Sequence, residues 1–259
     1  MKHAVVTGAA SGIGADITCD LLGRGWTVYG LDRSHAARHE TGPIWQRQEN
    51  QDARGRYVPV VCDVSNADDV SRAFRTIAGD TSKIDALIGS AGVFRTGPLL
   101  DMHEADFDAL FAVNTKGAWL VARAVLPLLL PAVREGDPAR IIFVASIAAL
   151  RPKVGGGAYA ASKVALTHMS RVLAVELAGQ GILVNAVAPA TVDTPMTQAL
   201  ANDAAKNGYS LSGTSPLGRV ATPGDITAVV RFLLSADANY MTGAVLPVDG
   251  GTSAAFQPK

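Results

Sequence analysis

The stretch that most constrains this chain is its beginning. An apolar, β-branched run, His3–Thr7, leads directly into Thr7-Gly8-Ala9-Ala10-Ser11-Gly12-Ile13-Gly14. A helical pattern follows over Gly12–Gly23, with Ile13, Ile17, Leu21 and Leu22 on one face. The glycines Gly8, Gly12 and Gly14 are therefore set between a strand and a helix. A phosphate bound by backbone N–H groups needs room that only glycine leaves, and the helix N-terminus adds partial positive charge. A tight strand–helix turn without a ligand would also use glycine, but this placement favours nucleotide binding.

The rest of the chain repeats the alternation. Thr27–Asp32, Tyr57–Cys62, Ile84–Ile88, Arg140–Ala145, Leu183–Val187 and Ala244–Val248 read as further strands. Helical patterns cover Asn66–Ala78, Glu104–Leu126, Ala158–Ala178 and Asp225–Leu234, and the last opens on Thr222, Pro223 and Asp225 as cap, first residue and third-position acid. Near-continuous apolar strands alternating with helices predict an α/β chain: one doubly wound, Rossmann-type domain over 1–259, with a seven-stranded, mostly parallel sheet covered on both faces. Arg33–Arg56, polar and carrying Gly42-Pro43, reads as a long loop or a short helix with a loop.

Composition narrows the function. With 23 basic and 23 acidic residues the net charge is zero, which argues against nucleic acid or a membrane surface as partner and leaves a small-molecule substrate. Cys19 and Cys62 are the only cysteines and form no CxxC, so neither a disulfide framework nor a metal site is expected. The chain shows no signal-peptide pattern, and its most apolar run, Ala124–Val133, is interrupted by Pro127 and Pro131; a cytoplasmic location is expected.

Asp32 ends the second strand, where a carboxylate can accept from both adenosine ribose hydroxyls and repels a 2′-phosphate. That favours NAD(H) over NADP(H), although neighbouring Arg33 is suited to a phosphate. Asp63-Val64, after the third strand, can hold the adenine or merely form a turn. Tyr159 and Lys163 stand four positions apart and share a helix face. A free tyrosine titrates near pH ~10, and a cation a few ångströms away lowers an acid's pKa by roughly 1–3 units, so lysine plus an oxidised nicotinamide brings the phenol into working range. A solvated helix face would carry the same pair. Ser146, after the apolar strand, and Asn114, a polar amide within "LFAVNTKG", supply partners for it.

"TGAASGIG", Asp32, Ala91-Gly92, Asn114, Ser146, "YAASK", "NAVAP" at Asn185–Pro189 and "VDGG" at Val248–Gly251 occur in the order found in the short-chain dehydrogenase/reductase family, which the chain resembles along nearly its whole length. The resemblance implies a nicotinamide-dependent oxidoreductase with an Asn114–Ser146–Tyr159–Lys163 tetrad. In it Tyr159 is the acid/base, Lys163 lowers its pKa and holds the nicotinamide ribose, Ser146 orients substrate and Asn114 supports a relay water. It also implies cofactor contacts from Gly8, Ser11, Gly12, Ile13, Gly14, Asp32, Arg33, Asp63, Val64, Ser90, Ala91, Gly92, Tyr159, Lys163, Pro189, Val192 and Thr194. Gly89-Ser90 stands where the family has two asparagines, and Ala190 where it has glycine. A substrate loop is expected at about 189–222, with Met196, Leu200, Tyr209 and Leu211 as its apolar face. Within the family, "AGVFRTGPL", "SIAALRPKVGGGAY" and "TVDTPM" are similar to segments of 2,3-dihydro-2,3-dihydroxybenzoate dehydrogenases, which implies a dihydrodiol carboxylate met by Arg95 or Lys153. A ketone or 3-oxoacyl-thioester reductase, and a non-catalytic NAD-binding regulator, are the alternatives. The apolar excess over Phe107–Leu130, together with the resemblance, predicts a homotetramer or homodimer.

Overall fold

The computed structural model describes residues 1–33, 55–207, 211 and 213–254, the side chains of 202–207 excepted. Most of the expected loop at Arg33–Arg56, and Tyr209, lie outside the described residues. The seven strands are β1 His3–Thr7, β2 Thr27–Asp32, β3 Arg56–Val61, β4 Ala86–Gly89, β5 Ala139–Val144, β6 Ile182–Pro189 and β7 Val245–Val248. They form one sheet in the order β3-β2-β1-β4-β5-β6-β7. All six ladders are parallel, so "mostly parallel" becomes wholly parallel. Pro59 is accommodated because β3 is an edge strand.

Strand alternation divides the core. Val5, Leu31, Leu87, Ile141, Phe143 and Val184 point to one face, under α2 (Ala67–Asp80), α4 (Ala118–Leu129) and α5 (Gly157–Ala178). Val6, Val28, Ile88, Ile142 and Val187 point to the other, under α1 (Gly12–Gly23) and α7 (Pro223–Leu233). The sequence reading of β1, α1 and β2 coincides with the structure, whereas later boundaries move by one to three residues. Thr222 and Asp225 form the reciprocal capping box at the start of α7. The expected helix at Glu104–Leu126 is three segments: α3 (Glu104–Phe111), a π-helical turn at Ala112–Gly117, and α4. This run is long and apolar enough by composition to cross a membrane. Leu110, Leu120, Val121, Val125 and Leu129 are nevertheless buried within the protein, which makes it a core helix.

The strand order reverses direction between β1 and β4. Connections leave these two strands toward opposite sides, opening a crevice at their carboxyl ends. The candidate cofactor and catalytic residues named from the sequence follow a strand or occupy a helix near that edge.

Candidate active site

A cavity of about 290 Å³ runs along the crevice. At one end it is lined by Gly8, Ser11, Gly12 and Ile13, by Asp32 and Arg33 after β2, and by Asp63 and Val64 after β3. Ser90, Ala91 and Gly92 follow β4 along its floor. At the other end stand Ser146, Tyr159, Lys163, Pro189, Val192, Thr194 and Met196.

The glycine turn fits a dinucleotide phosphate. Gly14 does not line the cavity; a Cβ there would lie 2.2 Å from the Gly8 carbonyl oxygen, so its glycine lets α1 pack against the turn. Gly12 has φ of +54°, and a Cβ there would stand 3.2 Å from a Thr194 methyl carbon at the cavity's edge. Ser11 caps no backbone N–H with its side chain, and no acidic residue occupies the first turn of α1. The N-terminal N–H groups of α1 thus face the cavity without a competing anion. Asp32 accepts from the Ala10 N–H at 3.1 Å, which holds the carboxylate at the strand tip. Thr7 Oγ1 accepts from both Ser90 and Ala91 N–H (3.1 and 3.0 Å), joining the ends of β1 and β4 beneath the groove.

Asn114 sits within the π-helical turn, and its side chain is fully engaged. Oδ1 accepts from Val93 N–H at 2.9 Å; Nδ2 donates to Val93 C=O and to Ser162 Oγ, both at 3.0 Å. Ser162 Oγ donates in turn to the Tyr159 carbonyl at 2.7 Å. Asn114 is therefore a clamp behind the cavity wall, not part of its lining. Gly92 runs between the two polar groups: a Cβ there would lie 3.3 Å from Asn114 Oδ1 and 3.5 Å from Lys163 Nζ.

Lys163 is buried, donates from Nζ to the Val144 carbonyl at 2.9 Å, and lies 5.9 Å from the centre of the Tyr159 ring. Burial pulls its ammonium down from 10.5 to about 8. Ser146 Oγ accepts from Ala148 N–H at 3.1 Å, which leaves its own proton for another acceptor.

Two residues expected to meet substrate lie elsewhere. Arg95 does not line the cavity; its guanidinium pairs with Asp106 at 3.1 Å and donates to the Phe94 carbonyl at 2.8 Å. Lys153 is also absent from the lining, and its ammonium is lowered by burial and then by Arg151. Conversely, Val93, Val113, Val144, Pro195 and Thr197 line the groove unannounced. Thr197 Oγ1 donates to the Val192 carbonyl and accepts from Thr194 N–H, fixing the entry of α6 (Pro195–Asn207). A threonine three residues after Thr194 at a helix start is the signal that could have found it.

The glycine-bounded groove, ending on a hydroxyl, a phenol and a buried ammonium, thus lies at the switch point of a Rossmann-type sheet. The family model described as "Enoyl-(Acyl carrier protein) reductase" matches residues 8–253. The chain is 35% identical over 250 residues to a 3-oxoacyl-[acyl-carrier-protein] reductase of Thermotoga maritima, covering 96% of this chain and 97% of that protein. It is also 35% identical over 254 residues to a cyclopentanol dehydrogenase of Comamonas, covering 98% and 97%. Among solved structures, a 3-ketoacyl-(acyl-carrier-protein) reductase from Brucella melitensis complexed with NADH superposes with TM-score 0.83 at 29% identity, covering 97% of this chain and 98% of that one. The Pseudomonas aeruginosa RhlG/NADP active-site complex superposes with TM-score 0.83 at 29% identity, covering 97% and 96%. The chain belongs to the short-chain dehydrogenase/reductase family, whose members here are oxidoreductases acting on CH–OH groups.

Proposed function

We propose that this protein interconverts a secondary alcohol and a ketone with NAD(H), using Tyr159 as the acid/base. The observation that carries the reading is the meeting of Ser146, Tyr159 and Lys163 at one end of the cavity that Gly12 and Asp32 line at the other. Ser11, Gly12 and Ile13 would hold the pyrophosphate, Asp32 the adenosine ribose, and Lys163 the nicotinamide ribose. The bound nicotinamide supplies the hydride acceptor or donor at the carbinol carbon. In the oxidising direction Ser146 donates its hydroxyl proton to the substrate oxygen and orients it. Tyr159 takes the substrate hydroxyl proton, and the Lys163 ammonium favours the phenolate. Asn114 acts through Val93 and Ser162, holding the loop beside Tyr159 and the first turn of α5 in register.

Asp32 supports NAD(H) over NADP(H), since a 2′-phosphate would approach a carboxylate already fixed by Ala10 N–H. Among the described residues, the cations that line the cavity are Arg33, next to Asp32, and Lys163, bonded to Val144. A dihydrodiol carboxylate would find neither Arg95 nor Lys153 in that lining, so we place uncharged secondary alcohols and ketones ahead of carboxylates. We also propose that the chain pairs with a second copy through α4 and α5, where Trp119, Val164, Val172 and Val175 are exposed on the isolated chain.

The test follows NADH absorbance over cyclic alcohols, dihydrodiol carboxylates and 3-oxoacyl thioesters. Turnover of cyclic alcohols is expected, and turnover of thioesters alone would overturn the substrate reading. Tyr159→Phe is expected to abolish turnover and leave NADH affinity within about threefold. Unchanged turnover would refute the assignment of Tyr159 and favour a non-catalytic role for the tetrad.

A further inference from the structure

The turn between β6 and α6 is held differently along its two edges. Along one edge the partner is backbone: Ala221 N–H donates to the Thr191 carbonyl at 3.2 Å, and Asp193 N–H donates to the Ala221 carbonyl at 2.8 Å. Along the other edge a side chain takes the place of a strand. Thr197 Oγ1 accepts from Thr194 N–H at 3.0 Å and donates to the Val192 carbonyl at 2.6 Å, closer than the 2.9 Å to the Thr194 carbonyl. A hydroxyl can do both because it carries one donor and two lone pairs. Thr197 N–H in turn donates to Thr194 Oγ1 at 3.4 Å, so the two threonines also form a reciprocal capping box around Pro195, the first residue of α6. Capping by itself would explain Thr197 up to this point. The box that opens α7 separates the two roles, because its third residue is Asp225, whose carboxylate accepts from Thr222 N–H and donates nothing. The proton that Thr197 gives to Val192 lies outside the needs of a cap.

Val192, Thr194 and Thr197 all line the cavity. Val192 and Thr194 are buried, and the Thr194 methyl carbon would stand 3.2 Å from a Cβ at Gly12. We propose that Thr197 is a positioning residue for the nicotinamide end of the cofactor: its hydroxyl fixes the Val192–Thr194 turn as a rigid cavity wall against which the nicotinamide ring is placed. The inference rests on the proposed seating of the nicotinamide near Ser146, Tyr159 and Lys163. Without the hydroxyl, the Val192 carbonyl and the Thr194 N–H lose a shared partner, and backbone polar groups beside a cavity turn toward whatever can bond them. The wall then shifts, whereas Ser11 and Asp32 stand on other elements and keep their places. The loss therefore falls on the nicotinamide and spares the rest of the cofactor. One net hydrogen bond corresponds to about a two- to twelvefold change in an equilibrium constant, which sets the size of the expected effect.

The experiment measures calorimetric binding of NADH and of ADP-ribose, which carries a hydroxyl where NADH carries the nicotinamide, to wild type, Thr197→Val and Thr197→Ser. Valine keeps the shape and removes the hydroxyl, and serine keeps the hydroxyl. Wild type should bind NADH more tightly than ADP-ribose. In Thr197→Val that advantage should fall at least about threefold, with ADP-ribose affinity within about twofold of wild type, and Thr197→Ser should retain the advantage. Equal weakening of both ligands in Thr197→Val would make Thr197 a helix cap only and overturn the inference. An unchanged advantage would overturn it too, and in both cases the cofactor reading would stand. Wild type that binds neither ligand, or both equally, would overturn the seating of the cofactor and the inference with it. Should Thr197→Val lose its folded circular-dichroism spectrum, Thr197→Ala decides by the same criteria.

Discussion

Lys163 offers a test of the site that needs no substrate. Its side chain is buried against Val144, and burial holds its pKa at about 8 against 10.5 in the unfolded chain. The native state therefore holds fewer protons than the unfolded one between those values, and stability rises with pH across that window. Below pH 8 the ammonium is charged in both states, and the native state carries the full cost of burying it. At about 1.4 kcal/mol per pH unit, that cost is about 3 kcal/mol. Lys163→Met fills similar length without a charge. It forfeits the bond to the Val144 carbonyl, which the ammonium donates more strongly than the neutral amine; that difference is part of what sets the folded pKa. Urea unfolding without cofactor, at one fixed protein concentration, should be measured for both proteins from pH 7 to pH 10. Wild type is expected to gain about 2–3 kcal/mol on the variant across that range, most of it above pH 8. Parallel curves would refute the argument, because they would mean that Lys163 is not desolvated in the folded state.

Other outcomes follow from the same structure. Asp32→Ser should raise kcat/KM with NADPH relative to NADH by at least about tenfold, since it removes the carboxylate a 2′-phosphate would meet; an unchanged ratio, read from parallel NADH and NADPH assays, would move the preference elsewhere. Cys62 lines the cavity, yet burial, then Asp69 and Asp63, push its thiol up to about 12, and burial raises Cys19 to about 11. Native protein at pH 8 should therefore react with a thiol reagent far more slowly than urea-unfolded protein, and rapid native labelling would contradict it. Light scattering should report a dimer or tetramer, which Trp119→Asp with Val175→Asp should weaken; a wild-type monomer would refute the docking of α4 and α5.

The order of elements was legible because β-branched runs and helical periodicity are local properties. β1, α1 and β2 could be bounded to the residue, since Gly8, Gly12, Gly25 and Asp32 punctuate them. The helix at 104–126 was read as continuous because a π-helical turn leaves no mark on hydrophobic spacing. Within that turn Asn114 bonds Val93 and Ser162, which lie 21 and 48 residues away, so no local spacing records these partners. Gly89, a departure from the family's asparagine, gains its reason only in space, because a Cβ there would lie 2.6 Å from the Phe143 ring on the neighbouring strand.

By itself the sequence determined a parallel, doubly wound sheet with a phosphate-ready glycine turn, and it placed Tyr159 and Lys163 on one face of a helix. These follow from the chain's own periodicity and from spacings within one element. Tertiary structure alone decided which charges reach the cavity. Lys153 lies between Ser146 and Tyr159 in the chain and Arg95 just after Ala91-Gly92, yet Arg95 pairs with Asp106 and neither lines the groove. It also decided that Lys163 is buried and that the Phe94 ring stands against the Tyr159 ring. Side-chain direction and desolvation depend on neighbours brought in by other strands and helices, and local spacing carries no record of them.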